Sequence, residues 1–119
     1  MKKFIKYFII ALLVIYILFI SQKSYANHKL HYAGKFQLTA YAWTGNPCAN
    51  GKYPSLNYTV AAHVKDFKLG TKLYIEGYGY YTVEDRGAFR KGVIDIYMGN
   101  KAKCIKFGRK HNVKVYVIR

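Results

Sequence analysis

Residues 69–97 read Leu69-Gly70-Thr71-Lys72-Leu73-Tyr74-Ile75-Glu76-Gly77-Tyr78-Gly79-Tyr80-Tyr81-Thr82-Val83-Glu84-Asp85-Arg86-Gly87-Ala88-Phe89-Arg90-Lys91-Gly92-Val93-Ile94-Asp95-Ile96-Tyr97. Lys72 to Glu76 and Tyr80 to Glu84 flank Gly77-Tyr78-Gly79, which predicts a tight hairpin. Val93 to Tyr97 predicts a further strand after the glycine-bounded turn. Upstream, Phe36, Leu38, Ala40 and Ala42 alternate with Gln37, Thr39, Tyr41 and Trp43, the period of a strand. Thr44 to Asn57 carries Gly45, Pro47, Gly51 and Pro54 and reads as a loop. Thr59 to Ala62 follows as a short buried strand, and Asn112 to Ile118 alternates as the last one. Asn100 to Phe107 is the helix among them, with Asn100 placed to cap it and Gly108 to stop it. Residues 27–35 are polar and read as a loose lead-in. Six short strands, one short helix and long loops over residues 36–119 predict a small, mainly β barrel.

The N-terminus belongs to a different part of the argument. Met1-Lys2-Lys3-Phe4-Ile5-Lys6 is a basic segment, Tyr7 to Ile20 is an apolar run of 14 residues, and Ser24-Tyr25-Ala26 ends in small residues. That pattern is a secretory signal peptide over residues 1–26. An uncleaved anchor is the rival reading, but 14 helical residues span only about 21 Å against a hydrocarbon core of about 30 Å. Cleavage after Ala26 leaves no stable membrane anchor and 93 residues, enough for one domain.

Composition narrows the function classes. The chain has 20 Lys and Arg against 5 Asp and Glu, a formal charge of +15. Lys2, Lys3, Lys6 and Lys23 fall in the signal, which leaves 16 basic against 5 acidic residues after cleavage. An exported domain so basic implies anionic surroundings, such as wall peptide carboxylates and teichoic phosphates. Nucleic acid is the less favoured anion, because export points elsewhere. Neither a P-loop nor a dinucleotide fingerprint is present. Two cysteines are too few for a disulfide framework or a four-thiolate zinc site. Cys48 and Cys104 could pair in an oxidising compartment, or stand as two unrelated thiols. No ligand spacing links His28, His31, His63 and His111, so neither a metal nor a cofactor is expected.

Asp95 is the first candidate for chemistry. In an alternating strand Val93, Asp95 and Tyr97 share one face and Ile94 and Ile96 the other. A carboxyl between Val and Tyr on a partly apolar face is expected to be desolvated, hence held protonated as a general acid requires. Asp85, at an adjoining strand end, would push the same way. The plain alternative has Asp85 capping its turn and pairing with Arg86 or Arg90, with Asp95 satisfying loop amides. His63 could orient the aspartates, bind substrate or serve as an ordinary barrel histidine. Tyr97, flanking Asp95, is the aromatic most suited to contact a sugar ring, and the helix lysines Lys101, Lys103 and Lys106 read as a solvated face.

Three elements in order carry a family resemblance: Ala49-Asn50-Gly51 leading to Ala61-Ala62-His63, the Leu69–Gly79 run, and Glu84-Asp85-Arg86-Gly87 followed by Ile94-Asp95-Ile96. The Leu69–Gly79 run resembles the three-aspartate (3D) domain. The Ala-Ala-His, Asp-Arg-Gly and Ile-Asp elements are similar to rare lipoprotein A and, more distantly, to expansins. The resemblance implies a six-stranded double-psi β-barrel with a groove for a glycan strand. It implies that Asp95 is the acid/base group of a lytic transglycosylase, with Asp85 as the second family aspartate. His63 falls where the 3D branch has its first aspartate and the rare lipoprotein A branch a histidine. Lys52 stands where rare lipoprotein A has Glu, and the Asp85–Asp95 segment is one residue shorter than in typical 3D domains.

These readings converge on an extracytoplasmic protein of the bacterial wall. The expected activity is cleavage of the MurNAc–GlcNAc bond of peptidoglycan, with Asp95, Asp85 and His63 at the centre and Tyr97, Arg86 and Lys52 on the substrate. The alternative is a non-catalytic, expansin-like module that binds or loosens the wall, which Lys52 in the Glu position favours.

Overall fold

The computed structural model describes residues 2–26, 28–88 and 90–119. Its elements are α1 (Lys2–Ala26), β1 (Leu30–Ala42), β2 (Thr59–Ala62), β3 (Lys72–Ile75), β4 (Gly79–Arg86), β5 (Val93–Gly99), α2 (Lys101–Phe107) and β6 (Lys110–Ile118). The six strands close in the order β1-β5-β2-β4-β3-β6. The pairs β1/β5 and β2/β4 are parallel and the other four antiparallel. This is the expected mainly β, six-stranded double-psi barrel with one short helix.

The alternation read from the sequence decides which residues fill it. Leu38, Val60, Ala62, Leu73, Ile75, Val83, Ile94, Ile96 and Val115 form the interior, closed by Phe36 and Phe67. Every residue of β2 is buried, because its outer face is covered as well as its inner one. β3 and β4 meet through a turn in which Gly77 has φ +83, a conformation L side chains rarely adopt. Gly99, at φ +85, is a second such position, and there an added Cβ would also lie 3.2 Å from Leu56.

Helix α2 starts and stops as expected. The Asn100 side chain accepts from the Lys103 N–H at 2.9 Å, and the Gly108 N–H donates to the Cys104 carbonyl at 3.0 Å. Lys101, Lys103 and Lys106 are exposed, while Cys104 and Phe107 turn toward β1 and β5.

Two expectations differ from the structure. The segment expected to be a loose lead-in is mostly strand, since β1 begins at Leu30 and pairs with β6 through Leu30–Ile118 and Tyr32–Tyr116. Its residues Leu30–Ala33 are exposed, so backbone pairing rather than burial holds them and no buried stripe marks them. The possible Cys48–Cys104 bridge is not formed, and both thiols are free. Cys48 is a buried member of the 43–58 loop, whereas Cys104 sits half-buried on α2.

The proposed signal segment lies in α1, whose side chains are exposed from Lys2 to Leu18. Among the described residues no helix is long and apolar enough to cross a membrane. The expected cleavage point abuts Asn27, which lies outside the described residues, as do Met1 and Phe89 of the quoted motifs.

Candidate active site

β5, β2 and β4 lie side by side, and their registers put the two candidate aspartates on either side of one alanine. Ala61 is the register partner of Asp95 on β5 and of Asp85 on β4. Two strand spacings separate the aspartate backbones, about 10 Å, with a methyl group between them. A bulge in β4 sets this up: Val60 faces Val83, but Ala61 faces Asp85, so Glu84 is the extra residue.

Asp95 occupies the predicted face. Ile94 and Ile96 are in the core, and Asp95 and Tyr97 are half-buried on the other side. Thr39, its register partner on β1, donates its hydroxyl to Asp95 Oδ1 at 2.8 Å. Among the described residues Oδ2 has no hydrogen-bond partner. Burial pushes the Asp95 carboxyl above its ordinary value, and the Asp85 charge adds to the push. The Thr39 bond and the Arg109 guanidinium act in the opposite direction but do not cancel it. Arg109 is itself steered by a 2.7 Å bond from Nη1 to the Gln37 side-chain oxygen.

Asp85 is held differently. Its Oδ1 accepts from the backbone N–H of Ala49 at 3.0 Å and of Arg86 at 2.9 Å. The amides that the plain alternative gave to Asp95 are thus on Asp85, and Asp95 is bonded to a hydroxyl instead.

The 43–58 loop is fixed over this site by a carboxylate that the sequence did not single out. Glu84 is only 3% exposed. Its Oε1 accepts from the Thr59 hydroxyl at 2.7 Å and its Oε2 from the Asn50 amide at 2.8 Å. Asn50 also accepts the Lys52 N–H at 3.0 Å through Oδ1, which folds the Ala49-Asn50-Gly51 element into a turn. Lys52 is on that turn with its side chain exposed.

Tyr41 completes the wall. Its ring lies 5.3 Å from that of Tyr97, its register partner. Its buried hydroxyl lies beside the Cys48 thiol and, among the described residues, accepts and donates no hydrogen bond of good geometry. Burial pushes the phenol up strongly, and Cys48, Asp85 and Asp95 push it further. The Cys48 thiol is raised by burial and then by Asp85, and Cys104 by burial and then by Asp95. Raised thiols are protonated and poor nucleophiles, so neither cysteine reads as an attacking group.

The remaining predicted residues sit around this centre. His63 lies just past β2, where its Nδ1 accepts from the Lys65 N–H at 3.0 Å and its carbonyl accepts from Asp66 and Phe67. That bonding ties the ring to its own turn. Arg86 is the exposed end of β4, in register with Ala62. Among the described residues no group of three or more His, Cys, Asp or Glu side chains could hold a metal ion. Thr39, Glu84 and Arg109 are residues of this candidate site that sequence reasoning missed, and Tyr41 reads from the sequence only as one of several aromatics able to stack on a sugar ring. Thr39 was visible only as a member of an alternating strand, because the β1/β5 register is a long-range fact.

Comparison with known proteins agrees with this architecture. No curated protein sequence matches the chain significantly. The barrel resembles the crystal structure of MltA from E. coli, with a TM-score of 0.50 and 18% sequence identity. That similarity covers 66% of this chain and 29% of MltA, so the chain spans under a third of that protein's length. Residues 58–119, just over half of the chain and including His63, Asp85 and Asp95, match the 3D domain. The chain belongs to the 3D domain family.

Proposed function

We propose that this chain is an exported lytic transglycosylase that cleaves the MurNAc–GlcNAc bond of peptidoglycan, with Asp95 as its acid/base. The observation that carries the reading is the Asp95 carboxyl: half-buried, raised by that burial, bonded by Thr39 at Oδ1, and one alanine away from Asp85. The 3D family membership and the MltA-like barrel support it.

Protonated Asp95 gives its proton to the glycosidic oxygen, and the bond from that oxygen to MurNAc C1 breaks. The MurNAc C6 hydroxyl then closes on C1, and its proton passes to the Asp95 carboxylate or to Asp85. The product has a 1,6-anhydro end and no water is consumed. One carboxyl serves as acid and then base, so the two-carboxylate spacing of glycoside hydrolysis does not constrain this site. Tyr97, Arg86 and Lys52 are assigned to the substrate and His63 to positioning. Residues 1–26 are assigned to export, and teichoic phosphates are further anionic partners.

The test is digestion of purified peptidoglycan with the parent protein and Asp95→Asn, the products read by mass spectrometry. Anhydro ends from the parent alone are expected. Reducing ends would mean a hydrolase. The second reading, a wall-binding module, draws on exposed Lys52 in the Glu position; for it, both proteins would sediment with the wall and release nothing.

A further inference from the structure

A basic cleft opens at one end of the candidate active site. It has a volume of about 640 Å³, and its polar lining is Lys35, Gln37, Arg90, Lys91, His111 and Asn112. Phe36, Gly92 and Val93 complete it, and among the described residues no acidic side chain lines it. In a chain where basic residues outnumber acidic ones fourfold, a cationic patch by itself says little. What distinguishes this one is concavity, and its position on the two strands that carry the Asp95 site.

Gln37 and Val93 are register partners on β1 and β5, two residues before the Thr39–Asp95 pair. Two strand residues span about 7 Å, so the cleft begins about one sugar ring away from the carboxyl. The same strands lead from one to the other, and Arg109, which bonds Gln37, also acts on Asp95. The wall at this end is fixed by backbone. The Gly92 N–H donates to Asp66 Oδ2 at 2.7 Å, and the Gly92 carbonyl accepts from the Gln37 N–H at 2.8 Å. Asp66 is therefore engaged behind the cleft and is not part of its lining. Lys35, Arg90, Lys91 and His111 are all exposed, so their side-chain ends are free to meet a ligand.

We propose that this cleft is an anion subsite of the Asp95 site, taking a carboxylate carried on a peptide substituent of the glycan strand. The assignment rests on the peptidoglycan reading above and adds to it a source of selectivity. A glycan lying across Asp95 places a substituent of the neighbouring sugar over Gln37 and Val93. Arg90, with its planar fork, suits a carboxylate in two-point contact, while Lys35 and Lys91 supply diffuse attraction. Gln37 and Asn112 offer amide hydrogens to the same oxygens. An uncharged strand would make the contacts at Asp95 and lose these.

The experiment uses the full chain carrying Asp95→Asn, so that bound glycan is not consumed. Binding is measured calorimetrically for two probes: soluble glycan fragments that keep their stem peptides, and the same fragments stripped of them by an amidase. We expect the peptide-bearing probe to bind about tenfold more tightly, with the difference shrinking as salt rises. In the double variant Arg90→Ala/Lys91→Ala that preference falls to nearly one, while affinity for the stripped probe is unchanged. Equal binding of the two probes by the Asp95→Asn chain overturns the proposal, as does a loss in the double variant that is the same for both. A teichoic-type polyphosphate that displaces the peptide-bearing probe, and itself loses affinity in the double variant by a larger factor, overturns the carboxylate in favour of phosphate. Because binding is read without turnover, absence of cleavage by the parent protein would sink the transglycosylase assignment and leave this measurement to decide the subsite separately.

Discussion

The Asp95 carboxyl holds its proton to a higher pH than an ordinary carboxyl because its surroundings offer a carboxylate less than water does. Burial and the nearby Asp85 charge favour the neutral form, and Arg109 with Thr39 favours the ionised one. Removing either charged neighbour therefore moves the titration in a known direction. Arg109→Ala removes a cation, raises the carboxyl further and shifts the alkaline limb of cleavage to higher pH. Asp85→Asn removes a negative charge and shifts that limb lower, whatever it does to the maximal rate. Initial rates on soluble fragments across pH check both, and shifts of the same sign would refute the role given to Asp95. The stability sign follows from the same displacement. A carboxyl raised in the folded state binds a proton that the unfolded chain releases, so stability falls as pH climbs from the ordinary value of 3.8 through the folded one. Asp95→Asn should equal the parent in urea at about pH 3, where both chains hold a neutral group, and exceed it near neutrality. Its turnover should drop by about 10²- to 10⁴-fold, the range for loss of a general acid.

The elements are held by two kinds of contact, and each has its own signature on mutation. Glu84 is a buried carboxylate satisfied by Asn50 and Thr59. Asn50→Ala leaves Oε2 short of its partner and should cost about 1–3 kcal/mol in urea unfolding, with the 43–58 loop exchanging amide hydrogens faster. On the far side of the barrel Tyr32, Tyr116, Tyr74 and Tyr80 form one row over β1, β6, β3 and β4, with ring centroids 5.4, 6.1 and 5.0 Å apart. Tyr74 has a ring on both sides and Tyr32 on one. Tyr74→Ala should therefore cost about 1–3 kcal/mol and Tyr32→Ala about half of that. Equal losses would mean that burial and not the row sets the energy. Such contacts mark the limit of what the sequence discloses. Period-two alternation, glycine punctuation and the Asn100 and Gly108 caps are local, and they place the strands and α2. The outward face of Asp95 is local too. Thr39 beside Asp95, Glu84 beneath Asn50 and the tyrosine row depend on register between distant strands, and no neighbouring residue announces them. The first residues of β1 escaped because they pair without burying anything, and the cysteines suggested a bridge because an oxidising compartment says nothing about the distance between two thiols.

At the scale of the whole molecule the barrel is closed, and among the described residues each of its six strands pairs with two others. Its interior is assembled from residues between Phe36 and Val115. Helix α1 contributes none of its side chains from Lys2 to Leu18 to that interior. From Lys2 to Leu18 its side chains are exposed, including Phe4 at 80% and Ile17 at 64%. Apolar surface stabilises a fold only when it leaves water, by about 25 cal/mol per Å². The stretch from Lys2 to Leu18 buries none of it against the barrel and so cannot raise the barrel's stability. It demands another apolar environment instead, which is what an export signal is made to find. The chain beginning at Asn27 and the full chain held in a mild detergent should then unfold at the same urea midpoint. Their slopes should agree as well, because the slope reports surface exposed on unfolding and α1 has little to expose. Without detergent the full chain should self-associate through α1 and the shortened chain should stay monomeric, as read by light scattering. A lower midpoint for the shortened chain would show that the helix packs on the barrel in solution, and the export assignment would lose its physical basis.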